Sequence, residues 1–583
     1  MDTFVLNAIC QELRQQICPS KINSICQPDE YSLVFVLWRR GVEHRLAISV
    51  DARFHYLFLT NELPGNVVLS FGKFLRYHIK GAEIRQLHKP PVERIMTFDI
   101  VKKDIDGQDL KFRLILEIMG RHSNLILINQ ETNKILDSIR HVTAAHSSYR
   151  RIAPGAVYIL PPQQKKDDLT TIGRDRFQQI LQEYETAAEK TPKLRLWKFL
   201  IQRVKGLSPL IAKEIEGQHL DGSEEARWER FSRIVHRVKS GEYQPVLVME
   251  QDDQGKERPI ALSAVPLEQF LHDKQINIYT PGSMNATAEQ YYRLLVERQQ
   301  YEALKNSLLS PLSVRLSKLK KKQEHLVAQK EQIDNAEEYK RKGELITANI
   351  YQLKKGMPTA RVIDYYSEDQ AMIEIALDPK FTPSQNAQRY FKRYNKLKHG
   401  KGMTEQRLLD TQQQIAYFEE LKFFIEDAGT IRDLKKLRAE FEETEQQDGK
   451  TKSKKKIVRA EPLKPFLRFV SSNGFDIYIG RSSRENDLLT QRTALPEDIW
   501  LHVHKAPGSH VLILNRKRNT PVPEQTLVEA ASLAAYYSKL RRSGKTDVIY
   551  IPKKYVKKPK GSPPGLVTLS KFQTIRVSPR AEI

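Results

Sequence analysis

The sequence predicts a multidomain α+β protein. Two mixed domains flank a helix-hairpin-helix module and a long antiparallel coiled-coil arm with a small β tip. Three observations predict it. Leu312, Leu316, Leu319, Gln323, Leu326, Lys330 and Ile333 follow the alternating four-three spacing of a heptad seam, and Thr411, Ile415, Phe418, Lys422 and Ile425 repeat it. Short strand-like runs cluster on both sides of that seam. Finally, 583 residues exceed what one hydrophobic core ordinarily organises.

The N-terminal α+β domain is expected over residues 1–165. An amphipathic helix carries Phe4, Leu6, Ile9, Leu13 and Ile17 on one face. Strand-like runs follow at Tyr31–Trp38, Arg45–Val50 and Tyr56–Thr60, and Leu110–Ile118 with Leu125–Ile128 flank Gly120 as a hairpin. A Pro/Gly-rich stretch, Pro154-Gly155 through Pro161-Pro162, closes the domain. Residues 166–240 switch to helical periodicity, within a helical region expected over 166–282. There Val204-Lys205-Gly206-Leu207-Ser208-Pro209 reads as a tight glycine turn between two helices. Such a turn can offer backbone N–H groups to phosphate, or it can be a plain packing unit.

The arm occupies residues 283–445. Ser310-Pro311 is expected to start its first helix as N-cap and first-turn proline. Met357-Pro358 and Asp378-Pro379 break the helices around a tip made of Arg361–Tyr365 and Met372–Leu377. Gln323, Lys330 and Lys422 dilute the apolar seam. Residues 446–461 are polar and charged and read as a flexible basic linker. In residues 462–583, strand pairs are expected at Phe466–Val470 with Asp476–Ile479 and at Trp500–His504 with His510–Leu514, then a helix, Glu524–Lys539. A basic tail follows, with Lys553, Lys554, Lys557, Lys558 and Lys560 beside Tyr550 and Tyr555. Cations for phosphates next to aromatics that stack on bases suit RNA.

Lys plus Arg number 95 against 71 Asp plus Glu, a net charge of +24. That surplus favours a polyanion, either nucleic acid or an acidic membrane face, over a merely solvated basic surface. The opening MDTFVLNAICQELRQQ lacks the pattern of a signal peptide. No run approaches the roughly 18 apolar residues that cross a bilayer. Nucleic acid and a cytoplasmic location are therefore expected, with no membrane partner. Cys10, Cys18 and Cys26 form neither a disulfide framework nor a CxxC pair.

Several stretches are similar to one family. Ile479-Gly480-Arg481-Ser482 with Asn486-Asp487, Asp498-Ile499-Trp500-Leu501-His502-Val503 and Pro507-Gly508-Ser509-His510-Val511 resemble the C-terminal RNA-associated domain of NFACT proteins. Val556-Lys557-Lys558-Pro559-Lys560-Gly561 fits the same domain. Glu117-Ile118-Met119-Gly120-Arg121-His122-Ser123-Asn124-Leu125 resembles the family's N-terminal signature. Gly343 to Ile350 and Asp378-Pro379 match its arm. The resemblance runs through essentially the whole chain in order.

It implies a ribosome quality-control factor that binds stalled large ribosomal subunits carrying peptidyl-tRNA and recruits alanyl-tRNA. With the small partner RqcP, such a factor supports mRNA-independent C-terminal alanine tailing. The family's tRNA recruitment needs an adjacent acidic–arginine pair, matched here by Glu93-Arg94 within Pro90-Pro91-Val92-Glu93-Arg94-Ile95. The family's usual pair is Asp-Arg, so Glu93 is a departure by one methylene. Arg121 and Asn124 of the signature are expected to join the tRNA site. Arg481, His502, His510, Lys557, Lys558 and Lys560 are expected to face rRNA. The resemblance implies no cofactor and no metal.

Plainer and rival readings compete. An exposed Glu-Arg pair is otherwise a surface salt bridge. His502-x-His504 with His510 invites a metal, yet no cysteine or carboxylate completes a ligand set, leaving RNA contact or packing. The layout also resembles formamidopyrimidine-DNA glycosylases, but Met1-Asp2-Thr3 lacks their N-terminal proline. With no P-loop, GxSxG or triad, the chain is expected to be a non-enzymatic binding factor. The alternative is a fibronectin-binding surface adhesin, which the missing export signal and wall anchor disfavour.

Overall fold

The computed structural model describes all residues except 63–64, 66, 68, 144–148, 218–219, 253–254, 256, 449–465, 517–520 and 583. The chain divides into two compact units, Met1–Gln299 and Gln300–Ile583.

The first unit opens with α1 (Thr3–Ile17). The Asp2 side chain caps it by accepting from the Phe4 and Val5 amides. The expected face, Phe4, Leu6, Ile9, Leu13 and Ile17, is buried. Nine strands follow: β1 (Ser20–Asp29), β2 (Ser32–Arg39), β3 (Val42–Val50), β4 (His55–Leu59), β5 (Glu83–His88), β6 (Ile95–Lys103), β7 (Asp109–Glu117), β8 (Asn124–Asn129) and β9 (Ile135–Ser138), with α2 (Ser70–Ile79) between β4 and β5. They form one antiparallel sheet in the order β4-β3-β2-β1-β5-β6-β7-β8-β9. The hairpin read around Gly120 is β7–β8, with Leu116 opposite Leu125 and Glu117 opposite Asn124.

Residues 166–282 are not wholly helical. β10 (Asp167–Asp168) pairs in parallel with β11 (Val204–Lys205), and four helices surround them: α3 (Arg174–Lys190), α4 (Leu196–Arg203), α5 (Pro209–Glu216) and α6 (Glu224–Ser240). A three-stranded sheet then replaces the expected helix: β12 (Val246–Gln251), β13 (Glu257–Ser263) and β14 (Ile276–Tyr279), ordered β13-β12-β14. One continuous core runs from Phe4 through Phe177 and Phe231 to Tyr292. The module and the N-terminal sheet therefore fold as one body, because neither covers its apolar face alone.

The arm's first helix, α7 (Met284–Asp334), begins well before Pro311, which lies inside it instead of at its start. Pro311 is exposed while Leu308 and Leu312 are buried, so the ring faces solvent and the helix keeps its packed side. After α8 (Ala336–Ala348), β15 (Thr359–Ile363) and β16 (Met372–Ala376) form the expected antiparallel tip. The return helix is α9 (Pro383–Asp427), opened by a capping box between Thr382 and Gln385, and α10 (Ile431–Asp448) follows. Lys320 meets Glu419 at 2.7 Å and Asp334 meets Lys401 at 3.9 Å, so α7 and α9 run in opposite directions. Leu312, Leu316 and Leu319 pack with Ile415, Phe418, Leu421 and Ile425, and α10 adds Leu434, Leu437 and Phe441. Gln323, Lys330 and Lys422 are only half-buried at their seam positions.

The linker expected at 446–461 lies outside the described residues from 449 onward, and 446–448 end α10. The last domain comprises β17 (Leu467–Val470), β18 (Asp476–Ile479), α11 (Ser483–Leu488), β19 (Ile499–Val503), β20 (Val511–Ile513), α12 (Glu524–Tyr536), β21 (Thr546–Pro552), β22 (Val556–Lys557), β23 (Thr568–Leu569) and β24 (Gln573–Val577). Six strands form a sheet in the order β17-β18-β20-β19-β21-β24. Ala530, Ala531, Ala534 and Ala535 are fully buried, and their small side chains let α12 lie close on that sheet. The segment read as a basic tail is thus structured: β21 and β24 extend the sheet, while β22 pairs β23.

Candidate RNA interface

In the first unit, Pro90 to Arg94 form the turn between β5 and β6. The turn is held from several sides. Buried Lys89 donates to the Pro90 carbonyl at 3.0 Å and to the Asn7 side chain, and Asn7 donates to the Pro91 carbonyl at 3.0 Å. Burial lowers the Lys89 ammonium to about 7. Thr3 donates its hydroxyl to the Glu93 carbonyl at 3.1 Å, and the Ile118 amide donates to the Arg94 carbonyl at 2.9 Å.

Glu93 and Arg94 part company. The Glu93 carboxylate meets the Lys205 ammonium at 2.5 Å. Arg94 is exposed, and among the described residues its guanidinium has no hydrogen-bond partner. Lys166 is the cation beside it, while burial holds the Met1 amine, lowered to about 6, and His55 largely neutral. Burial, the Met1 amine 3.2 Å away and Arg94 together push His55 down to about 4. Lys166 is lowered too, by burial and then by Arg94. The exposed, planar Arg94 fork can grip phosphate or a base edge through two donors.

The helix-hairpin-helix turn packs on the same loop. Gly206 has φ +90°, and a Cβ there would lie 3.2 Å from Val92 Cβ. Ser208 caps α5 through the Ile211 amide and donates to the Asp2 carboxylate at 2.9 Å. Arg121 is exposed on the turn between β7 and β8, at the sheet end where Ile95 faces Glu117. Asn124 is interior. It is 2 % exposed and donates to the Arg140 carbonyl at 2.8 Å, so its amide ties the start of β8 to the segment after β9. Neighbouring Glu117 is likewise interior, gripped by Arg150 at 2.6 Å and accepting from Tyr158 at 2.8 Å.

In the second unit the expected rRNA residues separate by burial. Arg481, Lys557 and Lys560 are exposed, and Lys558 is half-buried against Asp487 at 2.7 Å. His510 belongs to the interior, and His502 beside it is half-buried. His510 is 3 % exposed, with Nδ1 2.7 Å from the Thr490 hydroxyl, to which the Trp500 indole also donates at 3.2 Å. His502 stacks on Trp500, and its ring meets His510 edge to face at 5.5 Å. Burial pushes His502 down to about 4 and His510 well below the usual range. A neutral imidazole does not neutralise phosphate, and the enclosed His510 packs a core.

Sequence reasoning overlooked Lys205, although it stands in the glycine turn, and overlooked the buried Lys89. It also gave no sign of Glu420 and Glu440 at the root of the arm. Among the described residues, no helix is long and apolar enough to cross a membrane.

Residues 2–458 match the NFACT N-terminal and middle domains, and residues 465–570 match the NFACT protein RNA binding domain. The chain belongs to the NFACT family. Among NFACT relatives, the Rqc2 homolog RqcH of Bacillus subtilis is 33% identical over 594 residues, spanning 100% of this chain and 98% of that protein. The Rqc2 homolog RqcH of Streptococcus pneumoniae is 31% identical, spanning 99% and 98%. The human ribosome quality control complex subunit NEMF is 33% identical over 73 residues, 12% of this chain and 7% of that protein. The solved structure of a fibrinogen binding protein from Staphylococcus aureus has 26% identity and a TM-score of 0.41, covering 50% of this chain and 98% of that one. The exposed cations 481, 557 and 560 fall within the NFACT RNA binding domain, and Arg94 within the N-terminal match.

Proposed function

We propose that this NFACT protein is a ribosome quality-control factor without catalytic chemistry of its own, acting in the cytoplasm. It binds stalled large subunits that carry peptidyl-tRNA and recruits a further tRNA. On this reading the tRNA is alanyl-tRNA, RqcP is the partner, and alanines are added to the nascent chain by the ribosome's own peptidyl-transfer centre. The likeness to the two RqcH proteins along essentially their whole lengths supports the class of function. The observation that carries the tRNA assignment is Arg94: exposed, unpaired among the described residues and fixed on a braced turn.

The test is Arg94→Ala in the full chain, read by co-sedimentation with large subunits and recovery of bound tRNA. Loss of a two-donor contact is expected to cut tRNA recovery about tenfold or more, with subunit association little changed. Undiminished tRNA recovery would overturn the assignment. Sequencing the recovered tRNA decides whether it is the alanine acceptor.

A further inference from the structure

We infer that Lys205 of the helix-hairpin-helix turn is a positioning residue for Arg94, acting through Glu93. The inference rests on the reading of Arg94 as a tRNA contact.

Three observations converge on it. The Lys205–Glu93 pair is close, 2.5 Å, with side chains only 22% and 33% exposed, so water competes weakly for it. The backbone on both sides of Glu93 is bonded as well: Glu93 N–H donates to the Pro90 carbonyl at 3.3 Å, the Glu93 carbonyl accepts from Thr3, and the Arg94 carbonyl accepts from Ile118. Finally, Gly206, next to Lys205, approaches Val92 so closely that a Cβ would sit 3.2 Å from the valine Cβ. Turn and loop therefore interlock through one ion pair and one close approach of Gly206 to Val92, and Arg94 is the next residue after the joint.

This arrangement gives Glu93 a reason to be glutamate. An aspartate is shorter by one carbon–carbon bond, about 1.5 Å. With the backbone and the Lys205 side chain unmoved, it would stand up to about 4 Å from the ammonium, beyond hydrogen-bond reach. Glu93 is thus spent on holding the loop, and Arg94 alone faces the nucleic acid. Lys205 has a competing role, direct contact with a phosphate, and the two roles respond differently to exchanging the charges.

The experiment uses the full chain with large subunits and compares Lys205→Met, Glu93→Asp and the exchanged pair Glu93→Lys with Lys205→Glu. Arg94→Ala is the reference. Lys205→Met and Glu93→Asp are each expected to lower tRNA recovery about five- to tenfold, an ordinary coupling between touching residues, with subunit association and thermal midpoint nearly unchanged. The exchanged pair keeps net charge and restores recovery to within about twofold. Full recovery in Lys205→Met overturns the inference. So does an exchanged pair as weak as the single variants, because Lys205 would then be a direct contact. If Arg94→Ala itself retains tRNA, the tRNA reading falls and this inference with it. Loss in Arg94→Ala beside full recovery in Lys205→Met removes the inference alone.

Discussion

Asn486 donates its amide to the Glu420 carboxylate at 2.7 Å, joining the root of the helical arm to the RNA binding domain. The same asparagine accepts from the His510 amide at 2.9 Å and donates to the Gly508 carbonyl at 3.3 Å. Close by, Glu440 of α10 is 2% exposed, with the Tyr417 hydroxyl directed at it.

This joint makes stability depend on pH. Burial lifts the Glu420 carboxyl from 4.5 to about 8, against the Asn486 hydrogen bond, and lifts Glu440 to about 7. The folded chain therefore holds protons that the unfolded chain releases. Their contribution is complete below about pH 4.5 and is lost as pH rises through the folded values near 7 and 8. The buried Glu440 can account for at most about 1.4 kcal/mol per pH unit within its window. Denaturant unfolding of the second unit across that range should show the decline, and Glu440→Gln should flatten it. A slope untouched by that substitution would mean Glu440 is already ionised in the fold.

Replacing His510 should injure folding and leave RNA electrostatics alone. His510→Ala removes the Thr490 contact and the ring edge against Trp500, at a cost of about 2–4 kcal/mol. Thermal unfolding should register that loss, while the salt dependence of ribosome binding stays as it was. Weaker binding with unchanged thermal stability would place the imidazole on the RNA instead.

The exposed lysines behave oppositely. Each phosphate contact contributes about 0.7–0.9 to the slope of log affinity against log salt. Lys557→Gln with Lys560→Gln should therefore flatten that slope by about 1.5 and leave thermal stability unchanged. An unaltered slope would remove both side chains from the interface.

What the sequence disclosed follows from how local each signal is. Leu312 through Ile333 announce their seam because the apolar members, Leu312, Leu316, Leu319, Leu326 and Ile333, all report the same buried stripe. The start of α7 is hidden because Pro311 imitates a first-turn proline, and only the packing of Leu308 and Leu312 shows the helix running past it. β1 is obscure for a similar reason. Register shifts between Ile22 and Ser24 and between Cys26 and Asp29 break its alternation. At the candidate site, Arg94 is legible through its motif. The Lys205 ion pair is not, because two segments distant in sequence must meet before Glu93 has a partner. Asn124 and His510 mislead because a polar side chain in a motif looks alike whether it faces solvent or closes a buried network.

The nine-stranded sheet has a consequence for how the protein is made. Its strands form two ribbons, β1–β4 and β5–β9, in which every neighbour in space is also the neighbour in sequence. The ribbons join where Ser20 faces Ile84 and Lys21 faces Glu83, whereas β6 and β7 pair from Ile95 opposite Glu117 to Lys103 opposite Asp109. Short loops close at the smallest entropy cost, so each ribbon is favoured to zip as it is synthesised, with the central seam last. Pulse-labelled hydrogen exchange should find the amides around Lys21 and Ile84 protected after those of β6 and β7.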